Sequence, residues 1–182
     1  MQEVELIELC KKNDQRAMQV LYDLYVPKMR GICFRYARTV FEVDDILQEA
    51  FVRVFLKIGT YKFQGSFEGW VRRIVINSAI NYYKSNINTF KQIQLDELPD
   101  DTAGVVEIAD NLSVEYLYEM INMLPPGYKF IFNMYAIDGY SHKEIAEMMN
   151  ITESTSRSQY TRAKKQLVLL LEKKSYLYEN VK

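Results

Sequence analysis

Apolar residues recur at helical spacing along most of the chain, so the first expectation is an all-helical protein. Val4, Leu6, Ile7 and Leu9 predict a short helix over Glu3–Lys12. Asp14 can cap a second, in which Ala17, Met18, Leu21, Tyr22 and Tyr25 repeat. Pro27 either interrupts that helix or starts the next, whose apolar face runs through Ile32, Cys33, Tyr36 and Ala37. Asp44 or Asp45 is placed to cap a further helix with Ile46, Leu47, Ala50, Phe51, Val54 and Phe55 inward, closing near Gly59. Residues 60–65 read as a loop. Ser66 then caps a long helix with Trp70, Val71, Ile74, Val75 and Ser78 on its buried side, ending near Lys84.

Periodicity fades from Ser85 to about Ser113. Pro99, Gly104 and the acids Asp96, Glu97, Asp100, Asp101, Glu107 and Asp110 mark this stretch as a linker, too long for one loop of a compact domain. Helical pattern returns at Val114–Met123, breaks at Pro125-Pro126-Gly127 and resumes over Tyr128–Ile137. The expected fold is all-α: a helical bundle at 1–90, an acidic linker at 91–113 and a second small helical domain at 114–182. No repeat and no credible strand pair interrupts this picture.

Composition agrees. The 182 residues are 48% hydrophobic and 26% charged, with only 7 Gly and 4 Pro. No apolar run approaches a membrane span, and the acidic start Met1-Gln2-Glu3-Val4-Glu5 lacks the apolar core of a signal peptide. A cytoplasmic protein without an integral membrane segment is expected. Cys10 and Cys33 lack zinc or redox spacing and are expected to be buried, reduced thiols. The net charge of −1 conceals a pattern. Residues 1–90 carry 13 basic and 10 acidic side chains, residues 91–123 carry 1 and 8, and residues 124–182 carry 9 and 6. Two mildly basic blocks flank an acidic one.

The second basic block contains a helix-turn-helix pattern at 139–166. Ser141-His142-Lys143-Glu144 is a capping box, and Ile145, Ala146, Met148 and Met149 supply a buried face with a small residue for close approach. Asn150 can adopt the left-handed conformation that ends a helix, Ile151 plugs the turn, and Thr152 caps the second helix of the motif. In that helix Ser156, Tyr160, Ala163, Leu167 and Leu170 fall on one side. The other presents Thr155, Arg157, Ser158, Gln159, Thr161, Arg162 and Lys165. Arg157 and Gln159 suit base edges, and Arg162 and Lys165 suit phosphates. Ser156 is the odd member, since a larger apolar residue would fill an inward position better.

In the first block the helix from Ser66 carries Arg73, Asn77 and Asn81 in a polar stripe. Between Arg53 and Lys84 the sequence holds six basic residues (Arg53, Lys57, Lys62, Arg72, Arg73 and Lys84) and a single acid, Glu68. Tyr61, Phe63, Phe67 and Trp70 cluster beside the preceding loop, and aromatics interleaved with positive charge suit unstacked single-stranded bases. Taken alone, Phe67 and Trp70 read more readily as core. The helix with Asp45, Gln48 and Glu49 would repel phosphates and is a candidate for docking a basic protein.

Together these residues resemble the sigma-70 family of bacterial RNA polymerase sigma factors, in the short extracytoplasmic-function (ECF) group. The matching pieces are Val43-Asp44-Asp45-Ile46-Leu47-Gln48-Glu49-Ala50-Phe51 and Ser66-Phe67-Glu68-Gly69-Trp70-Val71-Arg72-Arg73-Ile74 with Asn77 and Ile80. The second half adds Leu124-Pro125, Gly139-Tyr140-Ser141, Glu144-Ile145-Ala146, Ser154-Thr155-Ser156-Arg157-Ser158 and Arg162-Ala163-Lys164. The resemblance implies a first domain that binds core polymerase through Asp45, Gln48, Glu49 and Phe51. Phe63, Phe67, Trp70, Arg72, Arg73, Asn77 and Asn81 would then read and capture the melted −10 strand. It implies a second domain reading the −35 element with Thr155, Arg157, Ser158, Gln159, Arg162 and Lys165, and an acidic linker in the RNA exit path. Core RNA polymerase, promoter DNA and an anti-sigma factor are the implied partners, with no cofactor and no metal. Where the family usually has Gly-Thr-Val-Lys-Ser-Arg, this chain has Ser154-Thr155-Ser156-Arg157-Ser158-Gln159, so a basic reader is replaced by Gln159.

The rival reading is a LuxR-type helix-turn-helix regulator that replaces no polymerase subunit. It accounts for residues 124–172 and leaves the bundle unexplained. An enzyme is disfavoured: the one histidine, His142, lies inside a capping turn, with no carboxylate pair, phosphate loop or ligand cluster beside it.

Overall fold

The computed structural model describes residues 2–86 and 114–179. The chain divides into two compact units, Met1–Asn86 and Ile87–Lys182. All the regular structure among the described residues is helical. The expected linker at 91–113 lies outside the described residues.

The first unit contains α1 (Glu3–Lys11), α2 (Gln15–Tyr36), α3 (Val40–Lys57), a single 3₁₀ turn (Ile58–Thr60) and α4 (Phe67–Ser85). The three long helices α2, α3 and α4 each pack on the other two, and α1 packs on α2 and the 3₁₀ turn. As expected, Asp14 starts α2, its Oδ1 accepting from the Ala17 N–H at 2.9 Å. Pro27 neither stops nor starts a helix; it lies inside α2. A proline there forfeits the backbone bond to Asp23, at a cost of about 3 kcal/mol. Leu21 and Tyr25 before it, and Met29, Ile32 and Cys33 after it, are all buried. Each such side chain contributes about 1.5–3 kcal/mol of burial, which holds the helix together across the proline.

The start of α3 also departs from expectation. Thr39, not Asp44 or Asp45, caps it, accepting from the Glu42 N–H at 3.2 Å. Asp44 pairs instead with Arg30 of α2 at 2.7 Å. Ser66 caps α4 as expected, accepting from the Gly69 N–H at 3.1 Å. Because α4 touches both neighbouring long helices, it buries more than one side: Phe67, Ile76, Ala79, Ile80 and Tyr83 join Val71, Val75 and Ser78. Cys10 and Cys33 are free and buried. Burial pushes the Cys33 thiol up to about 12, so it stays protonated and unreactive.

The second unit contains α5 (Val114–Asn122), α6 (Pro126–Phe132), a π turn (Asn133–Ile137), α7 (His142–Met149) and α8 (Glu153–Glu179). Pro126 occupies the first position of α6, where its missing N–H is not needed. Each of α5, α6 and α7 packs on α8. Met120, Ile121 and Leu124 meet Ala163 and Leu167 of α8, with Tyr116, Tyr128, Phe132, Leu170 and Leu171 around them. The long final helix is therefore the spine of this unit.

Candidate nucleic-acid interface

The helix-turn-helix forms as its sequence requires. The Ser141 Oγ accepts from the Glu144 N–H at 3.3 Å, and the Glu144 carboxylate accepts from the Ser141 N–H at 2.9 Å. Asn150 ends α7 at φ 56 and ψ 50. The Ile151 N–H then donates to the Ala146 carbonyl at 3.0 Å, and Thr152 caps α8 by accepting from the Thr155 N–H at 3.0 Å. These bonds satisfy groups that helix ends leave open, and together they fix the direction in which α8 departs.

The division of α8 follows the sequence reading. Ser156, Ala163 and Leu167 are buried, and Tyr160 and Leu170 half-buried. Arg157, Ser158, Thr161, Arg162 and Lys165 are exposed, and Thr155 and Gln159 lie half-buried at the flank. These residues do not all offer the same chemistry. The Thr155 hydroxyl bonds that of Thr152 at 2.7 Å, and the Ser158 hydroxyl donates to the Thr155 carbonyl at 3.0 Å. Arg157 is held by Glu153 one turn back, while Gln159, Arg162 and Lys165 carry the longer polar reach.

Inside the motif the sequence reading missed a pair. Ser156 and His142 share a hydrogen bond of 2.9 Å in the interior. Tyr135 stacks on the imidazole with centroids 4.2 Å apart, and Tyr160 approaches it at 5.8 Å. Burial lowers the His142 pKa, nearby Arg157 lowers it further, and Glu153 opposes them. His142 is a structural residue, and Ser156 is small and polar because it faces a ring nitrogen. A lone histidine inside a capping box, with an inward serine on the next helix, was the available signal.

In the first unit the polar stripe of α4 is presented as expected: Arg73 and Asn81 are exposed and Asn77 half-buried. Arg72 is half-buried, with its Nε shielded and without a hydrogen-bond partner. The aromatic group splits. Phe67 is wholly buried and packs edge-on to Tyr25 at 5.4 Å and Tyr61 at 5.0 Å, so its side chain belongs to the core and offers no face to a base. Trp70 is half-buried, stacked on Phe67 at 5.5 Å. Phe63 is 42% exposed and is the ring the loop presents. Its backbone is left-handed at φ 58, Gly65 follows at φ 82, and the Tyr61 hydroxyl donates to the Gly65 carbonyl at 2.8 Å. A bulky residue at positive φ is uncommon and marks a loop held by its surroundings.

On α3, Asp45 and Gln48 are exposed and Glu49 is half-buried and paired with Arg53. Asp45 also receives the Tyr82 hydroxyl, whose pKa is raised by burial first and by Glu42 and Asp45 in addition. Phe51 is buried and packs edge-on to Tyr22 at 4.9 Å, so it supports this surface from beneath and cannot itself be touched by a partner. Val52 and Leu56, one and two turns beyond Gln48, are 54% and 79% exposed. Both lie off the inward apolar stripe of α3, and polar pattern alone does not single out such residues. An outer face mixing Asp45, Gln48, Val52 and Leu56 suits a protein partner better than solvent or DNA.

Among the described residues, no cluster of His, Cys, Asp and Glu could hold a metal ion, and no helix is long and apolar enough to cross a membrane. Comparison with known proteins matches both units. Residues 21–88 match the model of Sigma-70 region 2, and residues 114–167 match Sigma-70, region 4. The chain is 29% identical over 177 residues to the ECF RNA polymerase sigma factor SigW of Bacillus subtilis (strain 168), covering 88% of this chain and 92% of that one. It is 26% identical over 170 residues to the ECF RNA polymerase sigma-E factor of Escherichia coli (strain K12), covering 87% and 88%. Its fold is similar to that of the sigma factor RpoE in complex with the anti-sigma factor NepR from Bartonella quintana. There the TM-score is 0.54 at 15% identity, over 85% of this chain and 96% of that one.

Proposed function

The chain belongs to the sigma-70 family of RNA polymerase sigma factors, in its ECF group, and we propose a division of its work between the two units at residue level. It is a non-enzymatic initiation factor that binds core RNA polymerase and directs promoter-specific transcription. In our reading residues 1–90 dock on core polymerase through Asp45, Gln48 and Glu49, extended by Val52 and Leu56, with Phe51 stiffening the helix from within. Phe63, Arg72, Arg73, Asn77 and Asn81 take the melted −10 strand, with Trp70 at the edge of the same aromatic group. Phe67 holds that group in place from the core.

Residues 114–182 read the −35 duplex. Arg157 and Gln159 face base edges, Arg162 and Lys165 face phosphates, and Thr155 and Ser158 shape the helix start and supply hydroxyl oxygens as acceptors. The observation that carries this reading is the pairing of a fully capped helix-turn-helix with a separate bundle that matches region 2. A LuxR-type regulator accounts for the former alone. The acidic stretch at 91–113 is proposed as the connection through the RNA exit path. Work of this kind places the protein in the cytoplasm. An anti-sigma factor is a further proposed partner, suggested by the complex in which the similar RpoE was solved.

The test is reconstitution. Purified protein mixed with bacterial core polymerase and a promoter library is expected to bind the core and generate new start sites. Duplex binding without core association or new start sites would favour the regulator.

A further inference from the structure

The loop that presents Phe63 is braced from α1, a helix outside the residues matched to region 2. Lys11, in the last turn of α1, holds its Nζ 4.2 Å from the centre of the Phe63 ring. The same ammonium bonds the Glu8 carboxylate at 2.9 Å, which fixes its direction. The helix is itself anchored: Leu6, Ile7 and Cys10 are buried, α1 packs on the 3₁₀ turn that leads into the loop, and the Tyr25 hydroxyl donates to Glu3. One face of the ring thus lies under the Lys11 cation, while the residue as a whole stays 42% exposed. Its backbone is meanwhile held left-handed.

From this geometry we infer that Lys11 is a positioning residue for capture of the melted −10 strand. Its cation occupies one face of Phe63, and Tyr61 flanks the ring at 5.1 Å. The exposed remainder of Phe63 is left for a base to stack, with the ammonium adding positive charge beside the phosphate of that nucleotide. A ring so held does not have to be ordered when the strand arrives, and the cation strengthens its hold at no cost in sequence preference. The inference rests on the assignment of this loop to the melted strand.

The experiment uses the holoenzyme formed with core polymerase and a promoter recovered in the reconstitution. Two probes are compared: a fork-junction DNA with the −35 duplex and the single non-template −10 strand, and the same duplex without that strand. Lys11→Met is expected to weaken fork-junction binding about three- to tenfold and leave the duplex unchanged, with Lys11→Arg restoring the fork because guanidinium also binds an aromatic face. Equal fork binding by Lys11→Met and the wild type overturns the inference alone. So does an equal loss in Lys11→Arg, or a parallel loss on both probes, since either marks a merely structural role. If the wild-type holoenzyme gains nothing from the single strand, the loop assignment falls and the inference falls with it.

Discussion

The Ser156 hydroxyl and the His142 Nδ1 lie 2.9 Å apart where α7 crosses α8, with 0% and 8% of their residues' surface exposed. One residue opens the first helix of the motif and the other lies in the first turn of the recognition helix, so their bond sets the relation between the two. Ser156→Val supplies the apolar volume the family usually has there, yet it strands a buried ring nitrogen. A loss of about 1–3 kcal/mol is expected. The chain's one tryptophan, Trp70, reports on the other unit, so stability here is followed by hydrogen exchange of α7 and α8 amides in urea. A Ser156→Val protein as stable as the wild type would show that the bond contributes nothing.

The same ring predicts a pH dependence. Burial and Arg157 lower the His142 pKa, with Glu153 opposing, and the surrounding Tyr135 and Tyr160 rings offer no countercharge. The folded chain therefore binds this proton more weakly than the unfolded chain. The contribution is intact above the ordinary value of about 6.5 and is lost as the pH falls through the lower folded-state value. Protection of α7 and α8 amides is expected to fall in that window. His142→Gln, which cannot titrate, should flatten the fall, and an equal fall in that variant would assign it to carboxylates instead.

Much of this was legible in the chain because local signals and tertiary packing agree. The caps at Asp14, Ser66 and Ser141 and the inward stripe of α8 formed as read. The failures have physical causes. Asp44 and Asp45 look like caps, but Thr39 reaches the Glu42 amide first and Asp44 has an ion pair on α2. Pro27 looks like a boundary, but buried residues on both sides hold the helix through it. Phe51 and Phe67 resemble family contact positions, yet the pattern itself put Phe51 on the inward face and Phe67 more readily in the core. Their burial separates an aromatic that supports a surface from one that touches a partner. That distinction depends on which face neighbouring helices cover.

Phe63 and Phe67 test that distinction directly. Phe67 is wholly buried among Tyr25, Tyr61 and Trp70, so Phe67→Ala is expected to destabilise the first unit by about 3–5 kcal/mol. The Trp70 emission, from a ring 5.5 Å from Phe67, reports that unfolding. Phe63→Ala removes an exposed ring and should leave the unfolding midpoint nearly unchanged while weakening fork-junction DNA binding by about 1–3 kcal/mol. Stability losses of similar size in the two variants would place Phe63 in the core and remove it from the proposed strand site.

Arg157 and Lys165 differ in how they are held, and the difference predicts distinct effects on duplex binding. Glu153 grips the Arg157 guanidinium from the preceding turn, limiting its rotamers and aiming it as a base-reading fork must be aimed. Arg157→Ala should cost about 1–3 kcal/mol at one −35 base pair and relax preference there alone. Glu153→Gln, which loosens the grip while keeping the arginine, should produce part of that relaxation. Lys165 is an exposed point charge further along α8. Lys165→Ala should weaken all sequences alike and reduce the slope of log affinity against log salt by about 1. Titration of a −35 sequence panel at several salt concentrations separates these outcomes. Uniform weakening by Arg157→Ala would make it a phosphate contact and leave Gln159 as the remaining candidate for base reading on that face.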